Sequence, residues 1–295
     1  MKYFDLIFGL ASYSRNLKKN ITCHATVSLT KSPGYFDGIE LRGKKRFQSK
    51  LTAMKMGGIK FYYNLGYWFL LFIPLVFFGF YPTYFAIILR PMPSIVHVHF
   101  TLMTIWVLMV IVQPFLIKFK QIKWHRRVGK LSYAIAPLVI ISVYLMMRKK
   151  YYTEISSFRE LVSNGRQHYS NNQIMQQVSA DISITAVYLL WFILFYSMAV
   201  INRRKTHAHS RYMLATTLLL LGPTLDRITY NIFGENIFFM PGEALTYLII
   251  DLVLAALLIR DYQSKRSVKV LAICLIVFVT GQVLYFTVPG SDAWA

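Results

Sequence analysis

Apolar residues gather along this chain into seven continuous runs, at 61–81, 95–117, 131–147, 182–201, 212–230, 244–259 and 270–288, separated by polar and mostly basic stretches. A helix needs about 20 residues to cross roughly 30 Å of hydrocarbon. Most runs reach that length, and the third and sixth, slightly short, are extended by aromatic or basic flanks. The runs are continuously apolar and lack period-two alternation, which predicts helices rather than barrel strands. Pro74 predicts a kink in the first run, whose polar-poor extension reaches Leu89. The predicted fold is all-α: a polytopic transmembrane bundle of about seven helices.

Residues 1–60 are mixed and basic with no sustained period, and read as a loosely ordered cytoplasmic tail. Residues 61–288 form the transmembrane domain, and 289–295 a short external tail. Met54 and Met56 stand just before the first apolar run and look like a natural start, which makes the first fifty-odd residues a candidate mis-called extension. Between the third and fourth runs, 148–181 is the one sizeable external loop, with SSFRELVSNG and NNQIMQQVSAD predicted as short helices lying over the outer face.

Composition sharpens the membrane reading. The chain is 56% hydrophobic and 15% charged, against about 45–50% and about 25% in soluble domains. Its net charge of +21 would suggest nucleic acid in a soluble protein. Here the cations set orientation instead. The tail and the connections 118–130, 202–211 and 260–269 hold 26 Lys and Arg, whereas the alternate segments hold 6. Basic loops stay on the cytoplasmic side, so the N-terminus is predicted inside and the C-terminus outside. The expected partners are the lipid bilayer and other membrane proteins, with no nucleic acid. Cys23 and Cys274 lie in a polar tail and an apolar run, which predicts no disulfide and no zinc site. The absence of a Gly-rich phosphate loop argues against an ATP-driven pump.

Ionisable residues inside a span are expensive, from about 3 kcal/mol upward, and are default site candidates. Asp251 lies nine residues before Arg260, about 13.5 Å up a helix and close to mid-bilayer. Asp226 and Arg227 lie about 22–24 Å above Arg211. Arg227 is placed to reach Asp251 from a neighbouring helix, either as a structural clamp or as part of a substrate or proton site. Pro223 leaves the carbonyl of Leu219 without its helical donor, a further acceptor within the membrane.

Histidine is the second signal. His97 and His99 open the second helix on the outer side, while His125 opens the third and His207 and His209 the fifth on the inner side. Residues two apart point about 200° apart, so one of each pair faces the bundle. Imidazoles from different helices near both faces suit a bis-histidine haem b carrier, and equally suit solvated positions in basic loops. Arg203, His207 and Arg211 at i, i+4, i+8 make a positive face fit for a phosphate, a propionate or a lipid headgroup.

Two segments carry a family resemblance. One is His97-x-His99, an apolar span, then His125-Arg126-Arg127-x-Gly129-Lys130-Leu131-x-Tyr133. The other runs from Arg203 through His209-x-Arg211-Tyr212-Met213 to Asp226-Arg227. Together they resemble an uncharacterised family of bacterial polytopic integral-membrane proteins over about half the chain. The resemblance implies a helical bundle in the bacterial cytoplasmic (inner) membrane, and no particular activity. The layout also looks distantly like small haem-handling or oxidase-assembly membrane proteins, an analogy of fold. Three functions remain open. One is haem binding or membrane redox through His97, His99, His125, His207 and His209, with Arg211 or Arg227 holding propionates. A second is a proton- or ion-coupled transporter using Asp251 and Arg227. The third is a non-catalytic assembly factor or sensor.

Overall fold

The computed structural model describes residues 62–165, 168–234, 236–237 and 240–288. The two tails therefore lie outside the described residues. Each apolar run becomes helical. The first run gives α1 (Leu65–Phe69) and α2 (Phe72–Phe80), separated just before Pro74, where the kink was expected. Then follow α3 (Ser94–Lys118), α4 (Ile122–Ser163) and α5 (Asn171–Ile201). The fifth run divides into α6 (Thr206–Leu218) and α7 (Leu221–Phe233). The last two runs are α8 (Gly242–Gln263) and α9 (Lys269–Thr287). Between α7 and α8, Asn236–Ile237 and Met240–Pro241 form a two-residue antiparallel pairing.

This is an all-α bundle, and the chain is a multi-pass membrane protein: α3, α4, α5, α8 and α9 are each long and apolar enough to cross a membrane. Sequential helices pack side by side from α3 to α6 and from α7 to α9. In addition α1 lies on α3, α2 on α7, and α9 on both α5 and α6. Trp106, Phe195, Ile250, Leu254, Leu271 and Phe278 are fully buried at the centre. The outside is apolar too, with Phe78, Leu190, Leu252 and Ile276 exposed. Lipid tails accept such a surface, whereas water would not.

Two close approaches fix the packing. A Cβ at Gly79 would stand 2.8 Å from the Thr224 carbonyl oxygen, so glycine is what lets α2 cross α7 at backbone distance. Tyr63 donates to the Lys118 carbonyl at 2.7 Å, and Lys118 donates to Asn64 at 2.7 Å. These bonds tie the start of α1 to the end of α3.

The external segment corrects the sequence reading. Residues 148–181 do not lie flat as short helices; α4 runs on for 42 residues, about 63 Å, and meets an outward extension of α5. The cause is a stripe at Tyr151, Ile155, Phe158 and Val162, which seals against Ile174 and Val178 and gives the hairpin its own small core. Ser170 caps α5, accepting from the Gln173 amide while the Gln173 side chain accepts from the Ser170 amide. Ser170→Ala is expected to cost about 1 kcal/mol. Hydrogen exchange should register it as faster opening at 171–178, with the membrane-embedded half of α5 unchanged.

Candidate functional site

The end of the bundle that carries the 202–211 and 260–269 connections holds a buried ion pair. Arg211 on α6 is 4% exposed and Asp261, in the last turn of α8, is 0% exposed. The guanidinium donates from Nε and Nη2 to the two carboxylate oxygens at 2.9 Å each, the bidentate fork that makes such pairs strong. The Tyr62 ring stacks under the guanidinium at 4.0 Å, and Arg266 lies over the same ring at 5.5 Å. His207 Nε2 is 3.6 Å from the carboxylate. Burial first, and Arg211 second, hold this imidazole below its ordinary pKa. It is therefore neutral near pH 7, and Arg211 balances Asp261.

This arrangement changes the expected positive face. Arg203 lies in the turn before α6 and donates to the Val200 carbonyl, so it does not join His207 and Arg211 on one helix face, and Arg211 is spent on an internal acid. Asp261 was missed at the sequence level because it sits in a basic connection. A signal was present: it is the sole acid in the connections 118–130, 202–211 and 260–269.

The other half of the bundle holds a different centre. The fifth span breaks just before Pro223, leaving Leu219 and Leu220 between α6 and α7, a place its missing N–H favours. One turn on, Asp226 keeps its Oδ1 shut from solvent with no hydrogen-bond partner. The Thr246 side chain on α8 hydrogen-bonds to the Asp226 carboxylate, and Glu243 on the same helix lies nearby. The hydroxyls of Tyr188 on α5 and Tyr247 on α8 are likewise buried without a hydrogen bond of standard geometry. They face one another, within electrostatic reach of Asp226. Trp191 and Tyr285 close the aromatic wall at ring distances of about 6 Å from Tyr247.

Arg227 does not pair with Asp251, contrary to the expected clamp between the fifth and sixth spans. Its guanidinium donates back to the Pro223 carbonyl at 2.9 Å and lies 4.5 Å over the Phe80 ring on α2. Residues 226 and 227 are 100° apart around α7, so Asp226 turns to α8 while Arg227 turns to α2. Asp251 takes a neutral partner instead, accepting from Gln282 on α9 at 3.0 Å.

The histidines separate. His97 Nδ1 meets the Tyr84 hydroxyl at 3.1 Å, and His99 Nδ1 meets Ser142 on α4 at 3.0 Å, so the pair faces two directions, as a spacing of two requires. His209 donates from Nδ1 to the Ala199 carbonyl at 2.9 Å, closing the end of α5. His125 lies within electrostatic reach of His209, and its Nδ1 is buried without a partner. Among the described residues no three His, Cys, Asp or Glu side chains are placed to hold one metal ion. A pocket of about 340 Å³ opens in the external hairpin, between Phe158, Tyr169 and the Gln173–Gln177 turn of α5.

No protein-family model matches the chain, and neither the curated proteins nor the solved structures contain a match.

Proposed function

We propose that the chain is a proton- or cation-coupled carrier of the bacterial cytoplasmic membrane, with Asp226 as its coupling acid. The observation that carries this reading is the unpartnered Asp226 oxygen at the Pro223 break. Carriers build ion sites at interrupted membrane helices, and a shielded carboxylate oxygen that no donor serves is costly unless something transient binds it. The polar path supports the reading further. Glu243 stands at the outer end of α8, Tyr247 and Asp226 lie below it, and Asp251 with Gln282 follows one turn deeper. Below Asp251 the path closes on Leu254, Leu257, Leu271 and Phe278, and the Arg211–Asp261 pair seals the inner end.

The test is cation entry into proteoliposomes loaded with pH- or sodium-sensitive dye. An inward gradient and a panel of small external solutes are applied together. Influx that depends on the chain is expected, with Asp226→Asn abolishing it and Asp251→Asn lowering it. Equal dye response with and without the protein, under every gradient and solute, would overturn the reading.

A second reading is haem b held between His125 and His209. It is favoured by the His209 Nδ1 bond to Ala199, which leaves Nε2 free in the way that haem and metal ligands are oriented. The group would supply one-electron transfer. Purified protein from haem-supplied cells showing no Soret absorbance would remove this reading.

A further inference from the structure

The hairpin of α4 and α5 carries a cavity that the carrier reading does not use. We infer that it is a binding site for one neutral sugar ring, held by the aromatic pair Phe158 and Tyr169 and by the glutamine face of α5. The inference stands apart from the carrier reading and from its ion.

The cavity holds about 340 Å³, within the range of about 300–1,000 Å³ that small-molecule sites occupy. It stands in water, because α4 is about 63 Å long, about twice the hydrocarbon thickness, and the hairpin beyond the apolar run has its own small core. Gln173, Gln176, Gln177 and Ala180 line the cavity at i, i+3, i+4 and i+7, which places them on one face of α5. That face supplies three amides and, at Ala180, the space beside them. Two of the amides are oriented by their partners. Gln173 Oε1 accepts from the Ser170 amide at 2.8 Å, which leaves its Nε2 as a donor. Gln177 Nε2 donates to Asp181 Oδ1 at 3.5 Å, which leaves its Oε1 as an acceptor. The Gln176 side chain makes no hydrogen bond among the described residues and offers both groups. The rest of the wall is aromatic: Phe158 and Tyr169 meet edge to face at 5.9 Å between ring centres, and Tyr169 is 42% exposed.

The lining selects the ligand. Among the described residues no charged side chain lines the cavity, so nothing there balances a phosphate, a carboxylate or an ammonium group. An acyl chain would cover the three amides and leave them without partners. From Gln173 to Ala180 the face measures about 10 Å, about three residues of an extended peptide and the breadth of one ring with its hydroxyls. A sugar satisfies both parts of the wall at once. Its hydroxyls donate and accept, as the glutamine amides do, and its C–H face packs against the negative face of an aromatic ring.

The test uses the full chain in phosphatidylcholine nanodiscs, which avoids detergents with sugar headgroups. Saturation-transfer NMR is read with D-glucose, D-galactose and N-acetyl-D-glucosamine, and with D-glucuronate as the charged comparator. Saturable transfer to at least one neutral sugar is expected, strongest at its ring C–H protons, with none to glucuronate. Tyr169→Ala should raise the half-saturating concentration about three- to tenfold, the worth of one aromatic contact, while Tyr169→Phe keeps the ring and should bind nearly as the parent does. Gln176→Leu should raise it by a similar factor of about three to ten, the worth of one neutral polar contact. Ala180→Leu should fill the cavity and abolish binding, and unchanged hydrogen exchange at 171–178 will show that the hairpin still folds. Failure of all three neutral sugars to bind overturns the inference. So does glucuronate binding as well as they do, or an Ala180→Leu variant that binds as the parent does. None of these results touches the carrier reading, which the flux assay decides by itself.

Discussion

Asp261→Asn should destabilise the folded protein by about 3–5 kcal/mol, the usual cost of stripping one partner from a buried ion pair. The substitution keeps shape but leaves the Arg211 guanidinium charged, 4% exposed and facing a neutral amide. The neighbours offer little relief, because Arg266 and His207 are themselves cationic or neutral donors and the Tyr62 ring is already stacked on the guanidinium. Thermal unfolding in detergent measures the loss. The double variant Arg211→Met with Asp261→Leu should recover most of it, since an apolar pair of similar volume replaces a buried ion pair at little net cost. A single variant as stable as the parent would show that the pair contributes nothing to the fold. A double variant no better than the single would show that the pair does more than balance charge.

Gly222→Ala is expected to be nearly as damaging, at about 1–3 kcal/mol, the range for overpacking a tight core. The added carbon would land on the Tyr188 hydroxyl and on two carbons of its ring. Tyr188 is held from behind by Trp191 and Tyr247 at 5.6 and 6.0 Å between ring centres, so it cannot simply swing away. Gly129→Ala is the matched control: its Cβ would meet Gln113 Nε2 at 3.7 Å, an ordinary contact, and stability should stay within about 0.5 kcal/mol of the parent. Equal behaviour of the two glycine variants would mean that α5 and α7 do not touch at Gly222. Tyr188→Ala added to Gly222→Ala should return part of the loss by removing the obstacle.

Much of the architecture is legible in the amino acids because the bilayer imposes one rule. Every backbone polar group within it must be satisfied locally, so a run of about 20 apolar residues has helix as its answer. All seven runs became helical for that reason, and Pro74 and Pro223 marked the two broken spans because a missing N–H acts on its own helix. The external hairpin was misjudged because its apolar stripe is sparse, and only the facing stripe on α5 makes it a core.

Pairings between helices are another matter. Asp226, Arg227 and Asp251 stood out by their cost alone, and cost does not name a partner. Asp251 and Arg227 carry opposite charges on neighbouring spans, yet α7 is rotated so that Arg227 faces α2 and Asp251 meets Gln282. Asp261 looked like a solvated residue of a basic connection until α8 carried it beneath α6, where Arg211 encloses it. By itself the sequence determined which stretches are helical and how the cations are spaced along the chain, since both are set by local bonding or by composition. Tertiary structure alone decided which buried groups meet, because that depends on helix rotation and packing, which a linear pattern of polarity does not encode.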